Sequence, residues 1–463
     1  MSVSTARLPI DDLRKRLTGR VITPEDDGYD DARTVLYDLA DCHPAAVIRV
    51  ANTADIATVV TLARDLGVEL AVRSGGHSGA GHGTTDGGLV IDLRDMTKVD
   101  VNPAARTAWA EAGANAGDVS QAADEHDLVV GFGDTGSVGI GGITTGGGIG
   151  YLVRKYGLTI DNLVGAEVVT ADGEVRHVDA TSEPDLFWAI RGGSGNAGVV
   201  SRFQYRLHEL GDAYGGMLFL PATADTISGF IAAAEAAPED LSTIANIMPC
   251  PPMPFVPEEV HGSLVIMGMI FWSGAPEDGE AAVAPFRALA TPVADMVRPM
   301  RYPEMFPPEE APAEDAPHFI ASSRILFMKH VDRAVAQAIV DTIPTVPGEM
   351  GVAQIRVLGG AMARVPADAT AFAFRDAPIM TVVAGITFDP AEREANERWV
   401  DVFKATLDQG YKGAYVNFIN DEGAQRVRDA YPPATWDRLA EIKRRYDPTN
   451  LFRRNQNVPP ASA

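Results

Sequence analysis

The chain has 463 residues and carries 39 basic against 63 acidic side chains, a formal net charge of −24. Because a single hydrophobic core stops growing at roughly 250–300 residues, this length predicts two domains that share an interface. The excess of acidic side chains repels a polyanion and argues against nucleic acid as a partner.

The pattern of apolar residues and cysteines excludes two further classes. No stretch approaches the roughly 20 apolar residues of a membrane helix, and residues 1–17 lack the apolar core of a signal peptide. We therefore expect a cytoplasmic protein with no membrane partner. The two cysteines, Cys42 and Cys250, are far apart, which excludes a disulfide framework and every C-x-x-C metal or redox motif.

The first half of the chain alternates short helices and strands. Apolar residues at helical spacing predict helices, and short runs of apolar and β-branched residues predict strands. The helices are Thr53–Leu66, Val119–His126 and Pro184–Ile190, and the strands are Val68–Val72, Leu89–Leu93, Thr107–Ala110, Val164–Thr170 and Val199–Leu207. This order indicates an α+β domain over residues 1–211.

Residues 212–410 contain longer strand candidates. The predicted strands are Ser242–Met248, Ser263–Trp272, Ile320–Phe327, Ala353–Leu358 and Met380–Thr387, and the helices include Asp225–Ala236 and Ala391–Leu407. This pattern favours a second domain made of an antiparallel sheet backed by helices. Two proline-rich loops interrupt it, at 249–257 and 307–317, and we interpret the acidic residues of the second as a solvated face. The tail, 411–463, holds two helical stretches and a polar end.

Glycine is concentrated in two loops. Half of the twenty residues from Gly131 to Gly150 are glycine, and residues 75–88 form another rich patch. Such density indicates backbone that turns sharply or approaches another group closely. A flexible linker is the alternative, but Val138, Ile140 and Ile143 would not be expected in a solvated linker.

Two G-x-G-x-x-G matches, at 131–136 and 193–198, do not support dinucleotide binding. The fingerprint needs a strand before it and a helix after it, whereas a predicted helix precedes the second match and a strand follows it. More glycine follows the first match. The sequence also has no phosphate-binding G-x-x-x-x-G-K-[ST] loop and no G-x-S-x-G nucleophile elbow.

The sequence R-S-G-G-H-S at 73–78 follows a predicted strand. Consecutive small residues let backbone N–H groups form an anion-binding concavity, and Arg73 adds a positive charge beside it. His77 and His82 are five residues apart without an accompanying carboxylate or thiolate, so we expect no metal site. The residues alone leave His77 open between an ordinary loop histidine and a functional one.

Several motifs identify the chain with a known family. They are R-S-G-G-H-S at 73–78, G-D-T-G-S-V-G-I-G-G at 133–142, G-G-G-I-G at 146–150, K-Y-G-L-T-I-D-N at 155–162, D-L-F-W-A-I-R-G-G-S-G-N-A-G-V-V at 185–200, Y-V-N-F at 415–418 and K-x-x-Y-D-P-x-N-x-F at 443–452. In this order they resemble the FAD-linked oxidases of the berberine bridge enzyme-like group, which are vanillyl-alcohol oxidase type flavoproteins. The resemblance implies a two-domain α+β fold: a PCMH-type FAD-binding domain at 1–211, a substrate domain at 212–410, and a C-terminal segment, 411–463, that returns to the first domain.

The resemblance also implies the cofactor and its ligands. FAD would be joined through its 8α-methyl group to His77, whose neutral imidazole is a competent nucleophile. The glycine-rich backbone of 73–78 and 139–148 would cradle the pyrophosphate, and Gly198–Val200 would lie at the adenine end. The implied cofactor-binding residues are Arg73, Ser74, Gly75, Gly76, Ser78, Thr135, Val138, Gly139, Gly142, Gly148, Val200, Asn417 and Asn457.

Two of these positions refine the expectation. Many family members carry a second link from a cysteine to the flavin, but Thr135 stands at that position here, so we expect one histidyl link. Val138 stands at the family's gatekeeper position, where a small residue accompanies reactivity toward O2. Ordinary packing is the alternative interpretation of Val138.

Tyr415 matches the tyrosine that family members use as catalytic base in the Y-x-N motif. A free tyrosine has a pKa of about 10, so Tyr415 must be acidified by its site or lose its proton together with hydride departure. A buried structural tyrosine is the alternative. Arg356 and Arg375 lie on or near strands of the middle section, where they could bind a carboxylate or phenolate of the substrate or reach solvent.

We therefore predict an FAD-dependent oxidase. It would remove a hydride from a small-molecule alcohol, sugar, amine or phenolic substrate to flavin N5 and use O2 as acceptor, giving H2O2. The alternatives are a dehydrogenase with another electron acceptor and a flavin-retaining binding protein without turnover. Substrate identity and oligomeric state stay open.

Overall fold

The computed structural model describes residues 8–36, 41–306 and 320–462. The second proline-rich loop, at 307–317, and its acidic residues lie outside the described residues. Within the described ranges, no helix combines the length and the apolar character needed to cross a bilayer.

The first half of the chain contains two principal sheets. Its strands are β1 Arg20–Ile22, β2 Ala46–Arg49, β3 Leu70–Arg73, β4 Leu89–Asp92, β5 Val99–Asn102, β6 Thr107–Glu111, β7 Leu128–Val129, β8 Leu163–Val169, β9 Val175–Asp179, β10 Val199–Arg206 and β11 His208–Glu209. The first sheet has the order β1-β2-β4-β3, in which β2, β4 and β3 run parallel. The second sheet is antiparallel with the order β5-β6-β10-β8-β9, and β7 pairs separately with β11.

The helices of this half are α1 Ile10–Arg16, α2 Tyr29–Arg33, α3 Thr53–Leu66, α4 Ala116–Asp124, α5 Ile140–Gly146, α6 Val153–Tyr156 and α7 Pro184–Ala189. The Asn52 side chain accepts a hydrogen bond from the Asp55 N–H and caps α3, which ends at Gly67 with a left-handed φ of 63°. Helix α3 contacts β4 of the first sheet and β8 and β10 of the second. It therefore lies between the two sheets.

The second half is built on one long antiparallel sheet. Its strands are β12 Ala213–Pro221, β13 Leu241–Pro249, β14 Leu264–Trp272, β15 Ala294–Asp295, β16 Arg298–Met300, β17 Ile320–Met328, β18 Met350–Val357 and β19 Ile379–Thr387. The order is β15-β12-β14-β13-β18-β19-β17, with β16 also paired to β12. The further helices are α8 Ala224–Ala236, α9 Gly279–Arg287, α10 Arg333–Thr342, α11 Ala361–Arg364, α12 Arg393–Leu407, α13 Ala424–Asp429 and α14 Pro433–Tyr446.

Helices α8, α10 and α12 cover one face of this sheet. Together they enclose an apolar core that includes Phe230, Ile355 and Phe403. The opposite face contributes Phe327 and Met380 to the core of the first half. These observations confirm the predicted α+β fold with an antiparallel sheet backed by helices. The domain boundaries at 211/212 and 410/411 stay a prediction.

The C-terminal segment is tied to the first half through one buried lysine. Lys443 on α14 is 1% exposed, and its Nζ donates to the carbonyl oxygens of Asn196 at 3.1 Å and Phe452 at 2.6 Å. The Asp447 carboxylate lies 3.2 Å from Nζ and accepts the N–H groups of Leu451 and Phe452. Burial lowers the pKa of Lys443 to about 8, whereas Asp447 acts in the opposite direction. This cluster fixes residues 451–452 against the first half.

Replacing Lys443 by Met should leave the Asp447 carboxylate buried without its cation. Breaking a buried pair in this way costs about 3–5 kcal/mol, so we expect the free energy of unfolding to fall by that amount. Urea denaturation followed by circular dichroism measures it. The same replacement at the exposed Lys412 is the control and should change the free energy by less than about 0.5 kcal/mol. Equal stability of the two variants would contradict the role assigned to Lys443.

Candidate active site

A cavity of about 330 Å³ lies between the loops of the first half and the C-terminal segment. Most of its lining comes from within residues 73–78, 133–145, 194–200, 415–419 and 452–456, and the rest is Leu70, Val72, His82, Gly83, Leu93 and Ile149. The predicted site residues in its wall are Arg73, Ser74, Gly75, Gly76, His77, Ser78, Thr135, Val138, Gly139, Gly142, Val200, Tyr415 and Asn417. The fold thus brings together residues that are up to 344 positions apart in the chain, from Arg73 to Asn417.

The two glycine-rich loops cross with their backbones in contact. A Cβ atom built on Gly75 would lie 2.3 Å from the Gly139 nitrogen, and one built on Gly139 would lie 2.1 Å from the Gly75 nitrogen. The Ser74 Oγ strengthens the crossing by donating to the Ala112 carbonyl at 2.6 Å and accepting the Gly141 N–H at 3.2 Å. Close backbone approach therefore explains the glycines here, and this segment is not a flexible linker.

Arg73 lies in the cavity wall and also forms an internal ion pair. The parallel pairing of β3 with β4 sets it beside Asp92, and its Nη2 donates to that carboxylate at 2.8 Å. The same guanidinium donates to the carbonyl oxygens of Ala32 and Thr34. These interactions anchor the start of the loop. The contribution of the Arg73 charge to the anion-binding concavity stays a prediction.

The histidines of this loop both line the cavity. The Nε2 atom of His77 lies 3.1 Å from the Ser137 Oγ, which joins the first glycine-rich loop to the second. Burial lowers the pKa of His82 to about 4, and the charge of Arg454 acts in the same direction, so His82 is neutral at pH 7. Among the described residues, no group of three or more histidine, cysteine or carboxylate side chains is placed to hold a metal ion.

Tyr415 is 1% exposed, and its hydroxyl oxygen accepts two hydrogen bonds. The N–H of Gly148 and the Nδ2 of Asn417 each donate to it at 2.8 Å. Burial raises the pKa of Tyr415 to about 12, while these two hydrogen bonds and the charge of Arg356 act in the opposite direction. Gly148 and Asn417, which were predicted to bind the cofactor, thus donate hydrogen bonds to the Tyr415 hydroxyl.

The two arginines predicted to face substrate differ in their surroundings. Arg375 forms a two-pronged ion pair with Asp161 at 2.7 and 2.8 Å and also donates to the Phe372 carbonyl and the Thr370 hydroxyl. All three of its guanidinium nitrogens have partners inside the protein, which indicates a structural role, and a contact of Arg375 with substrate stays a prediction.

Arg356, by contrast, has a single hydrogen-bond partner, the Asp134 carboxylate, among the residues that the structure describes.

The cavity also has a basic residue that the sequence analysis did not single out. Arg454 lines it and donates to the carbonyl oxygens of Gly81 and Thr84 at 2.9 to 3.2 Å. All the hydrogen bonds that its guanidinium makes with the described residues go to backbone carbonyl oxygens. The polar run R-R-N-Q-N at 453–457 is the one sequence feature that could have indicated Arg454 as a site residue. Nothing in the sequence shows that this segment contacts the loop at 81–84.

The residues present fit an FAD molecule. A Cβ on Gly142 would meet no atom within 4 Å among the described residues, so this backbone faces open space in the cavity. Two buried acceptors near the C-terminus, the Oδ1 atoms of Asn455 and Asn457, have no hydrogen-bond partner in the same part of the structure. The open loop backbone and the Arg454 guanidinium match the phosphates of the cofactor. The unused amide oxygens match donor groups of its ribityl chain and flavin ring.

Comparison with known proteins supports this match. Residues 44–179 match the FAD binding domain family, and residues 414–459 match the berberine and berberine-like family. The chain is 29% identical to (R)-6-hydroxynicotine oxidase of Paenarthrobacter nicotinovorans, covering 96% of this chain and 97% of that protein.

Solved structures share the whole fold. The crystal structure of 6-hydroxy-D-nicotine oxidase from Arthrobacter nicotinovorans superposes with a TM-score of 0.84 at 27% identity, covering 96% of this chain and 98% of that one. Xylooligosaccharide oxidase from Myceliophthora thermophila, in complex with xylobiose, superposes with a TM-score of 0.82 at 25% identity over 98% of this chain and 100% of that one. The chain therefore combines an FAD binding domain with a berberine-like C-terminal segment and is an FAD-linked oxidoreductase.

Proposed function

We propose that this protein is an FAD-dependent oxidase of a small molecule, that its cofactor is joined to His77 alone, and that Tyr415 accepts the substrate proton. The observation that carries the proposal is the pair of N–H donors on the Tyr415 hydroxyl, in the wall of the cavity that also contains His77. Thr135, in place of a cysteine, supports the single link.

The two donors determine what the Tyr415 hydroxyl can do. A phenolic oxygen has one proton and two lone pairs, and Gly148 and Asn417 occupy both lone pairs. The hydroxyl proton therefore points in a third direction, away from both donors. When that proton is absent, the same two N–H groups stabilise the negative charge on the oxygen. Tyr415 is thus held in the orientation and with the hydrogen bonds that a proton acceptor needs.

The other residues of the site would hold and orient the cofactor. Backbone of 74–78 and 139–142 would hold the pyrophosphate of the cofactor, and Asn455 and Asn457 would donate and accept at its polar groups. FAD supplies the redox chemistry when bound: hydride is taken at flavin N5 and the electrons pass to O2, giving H2O2. The burial of Tyr415 excludes water from the site of proton transfer.

Two substrate classes are known among the compared proteins, a hydroxynicotine and oligosaccharides, as their names state. Both are small molecules with O–H, N–H or activated C–H groups, so both are first candidates for this chain. A dehydrogenase that uses another electron acceptor is the second candidate. The small side chain of Val138, in the cavity wall, favours access of O2 and hence the oxidase.

Replacing His77 by Ala should abolish the covalent link. We expect the wild-type protein to retain flavin fluorescence in a denaturing gel and to exceed the mass of its polypeptide by one FAD, and we expect H77A to show neither. H82A is the matched control because His82 lines the same cavity, and it should keep both signals. Covalent flavin in H77A would rule out His77 as the attachment site.

Replacing Tyr415 by Phe should lower kcat/KM by about 10²–10⁴-fold, the usual contribution of a positioned proton acceptor, with flavin content unchanged. Because the acceptor must be deprotonated and its pKa is raised toward 12, the wild-type kcat/KM should rise with pH across the alkaline range. Y415F should lose this rise. N417L removes a donor that stabilises the tyrosinate and should shift the rise to higher pH. The test uses hydroxynicotine, xylobiose and a panel of alcohols and amines, and an unchanged pH profile in Y415F would exclude Tyr415 as the base.

Replacing Val138 by Leu tests the electron acceptor. We expect the wild-type protein to consume O2 and release H2O2 during turnover. V138L should lower the rate with O2 by at least tenfold and leave the rate with an artificial electron acceptor unchanged, because only access of O2 is blocked. If the wild-type protein turns over with the artificial acceptor alone, it is a dehydrogenase.

A further inference from the structure

A hydrogen bond joins the side chains of His77 and Ser137 where the two glycine-rich loops cross. The Nε2 atom of His77 lies 3.1 Å from the Ser137 Oγ, although the two residues are 60 positions apart in the chain. His77 lines the cavity, and the cofactor that the proposed function attaches to it must react at one of the two imidazole nitrogens. The partner of Nε2 therefore bears on which nitrogen reacts.

The backbone on either side of Ser137 is fixed by helix α4. The carbonyl oxygen of Gly136 accepts the N–H of Gly117, and that of Val138 accepts the N–H of Ala116, each at 2.9 Å. Both donors belong to the first turn of α4, whose N–H groups have no partner inside the helix. Ser137 thus presents its hydroxyl from a backbone that is held on both sides.

The loop that carries His77 is packed against the same segment. A Cβ atom on Gly75 would lie 3.1 Å from the carbonyl oxygen of Ser137, so the two backbones are in contact there. The Ser74 Oγ ties the loop to the Ala112 carbonyl at 2.6 Å. Backbone packing therefore sets the distance between the imidazole and the serine hydroxyl.

The Ser137 hydroxyl can select the nitrogen of His77 that reacts. A neutral imidazole carries its proton on one nitrogen and a lone pair on the other, and only the nitrogen with the lone pair can form a new bond. The hydrogen bond made by one ring nitrogen determines which of the two is protonated. A hydroxyl oxygen that accepts from Nε2–H keeps the proton there and leaves the lone pair on Nδ1.

We propose that Ser137 is a positioning residue for covalent attachment of the cofactor: its Oγ accepts the Nε2–H of His77, so that Nδ1 forms the bond to the 8α carbon of FAD. The proposal rests on the proposed function and adds to it the residue that directs attachment. One C–H bond of the 8α-methyl group breaks as the Nδ1–C8α bond forms. The electron pair of the broken bond reduces the flavin, which takes up one proton from the methyl group and one from the imidazole. O2 then accepts both electrons and both protons and leaves as H2O2.

The first test measures the rate of attachment, not turnover. The full-length variants are produced under riboflavin limitation and incubated with FAD in air, and the intact mass follows the gain of one FAD. S137A should react slower by about tenfold or more, because the imidazole loses its orientation. S137T keeps a hydroxyl and should react at the wild-type rate. S120A is the matched control and should also match the wild type, because Ser120 is a buried serine of α4 whose hydroxyl donates to the Ala116 carbonyl.

The second test identifies the attached nitrogen. NMR of the flavin-bearing peptide from a protease digest distinguishes the two isomers. The 8α protons lie near the β-protons of His77 in the Nδ1 isomer and near its Hδ2 proton in the Nε2 isomer. We expect the Nδ1 isomer alone in the wild type, and a mixture of both isomers in the FAD that S137A attaches.

Each outcome decides the proposal. A wild-type bond at Nε2, equal attachment rates in S137A and the wild type, or equal slowing in S137A and S120A would overturn it. If S137A does not fold, S137T and S137V decide, because threonine and valine share a shape and differ in the hydroxyl. Slow attachment in S137V alone supports the role of Ser137, and equal rates in the two variants overturn it. Covalent flavin in H77A, or a wild-type protein that attaches no flavin, would instead contradict the proposed function.

Discussion

The site depends on one steric constraint, the contact of two backbones at Gly75 and Gly139. No side chain fits between them, since a Cβ on either residue would lie within 2.3 Å of the other's nitrogen. The contact brings the loop that follows β3 against the segment that begins α5. It thereby sets His77 beside Ser137 and Val138 in one wall of the cavity. A residue larger than glycine at either position would separate the loop that holds His77 from the segment that holds the gatekeeper position.

The long sheet lies behind the cavity wall and has buried residues on both faces. Helices α8, α10 and α12 cover one face, and the other packs against the first half of the chain through Phe327 and Met380. Arg356 lies in the middle of that second face, with Asp134 opposite. The sheet of the second half therefore packs directly against residues of the cavity wall, Asp134 and Phe418.

The periodicity of apolar residues predicted several helices and strands well. It failed where glycines interrupt the apolar pattern of a strand. Helix α3 has the predicted bounds, and strands β10 and β14 differ from the prediction by one residue. Strand β12 was missed because Gly215 and Gly216 interrupt its apolar alternation. The resemblance to family motifs singled out His77 and Tyr415 as candidate site residues. The ion pairs of Arg73 and Arg375 could not be predicted from sequence, because their carboxylate partners, Asp92 and Asp161, become neighbours only through tertiary pairing.

The cluster around Lys443 affects when the cavity wall can be completed during synthesis of the chain. It fixes residues 451–452, and the residues just after them, Asn455 and Gln456, form part of the cavity wall. The N-terminal residues that contact the cofactor cavity leave the ribosome first, but the wall is incomplete until residue 456 has emerged from the exit tunnel. A nascent or truncated chain that ends before α14 therefore lacks the part of the wall that residues 452–456 form.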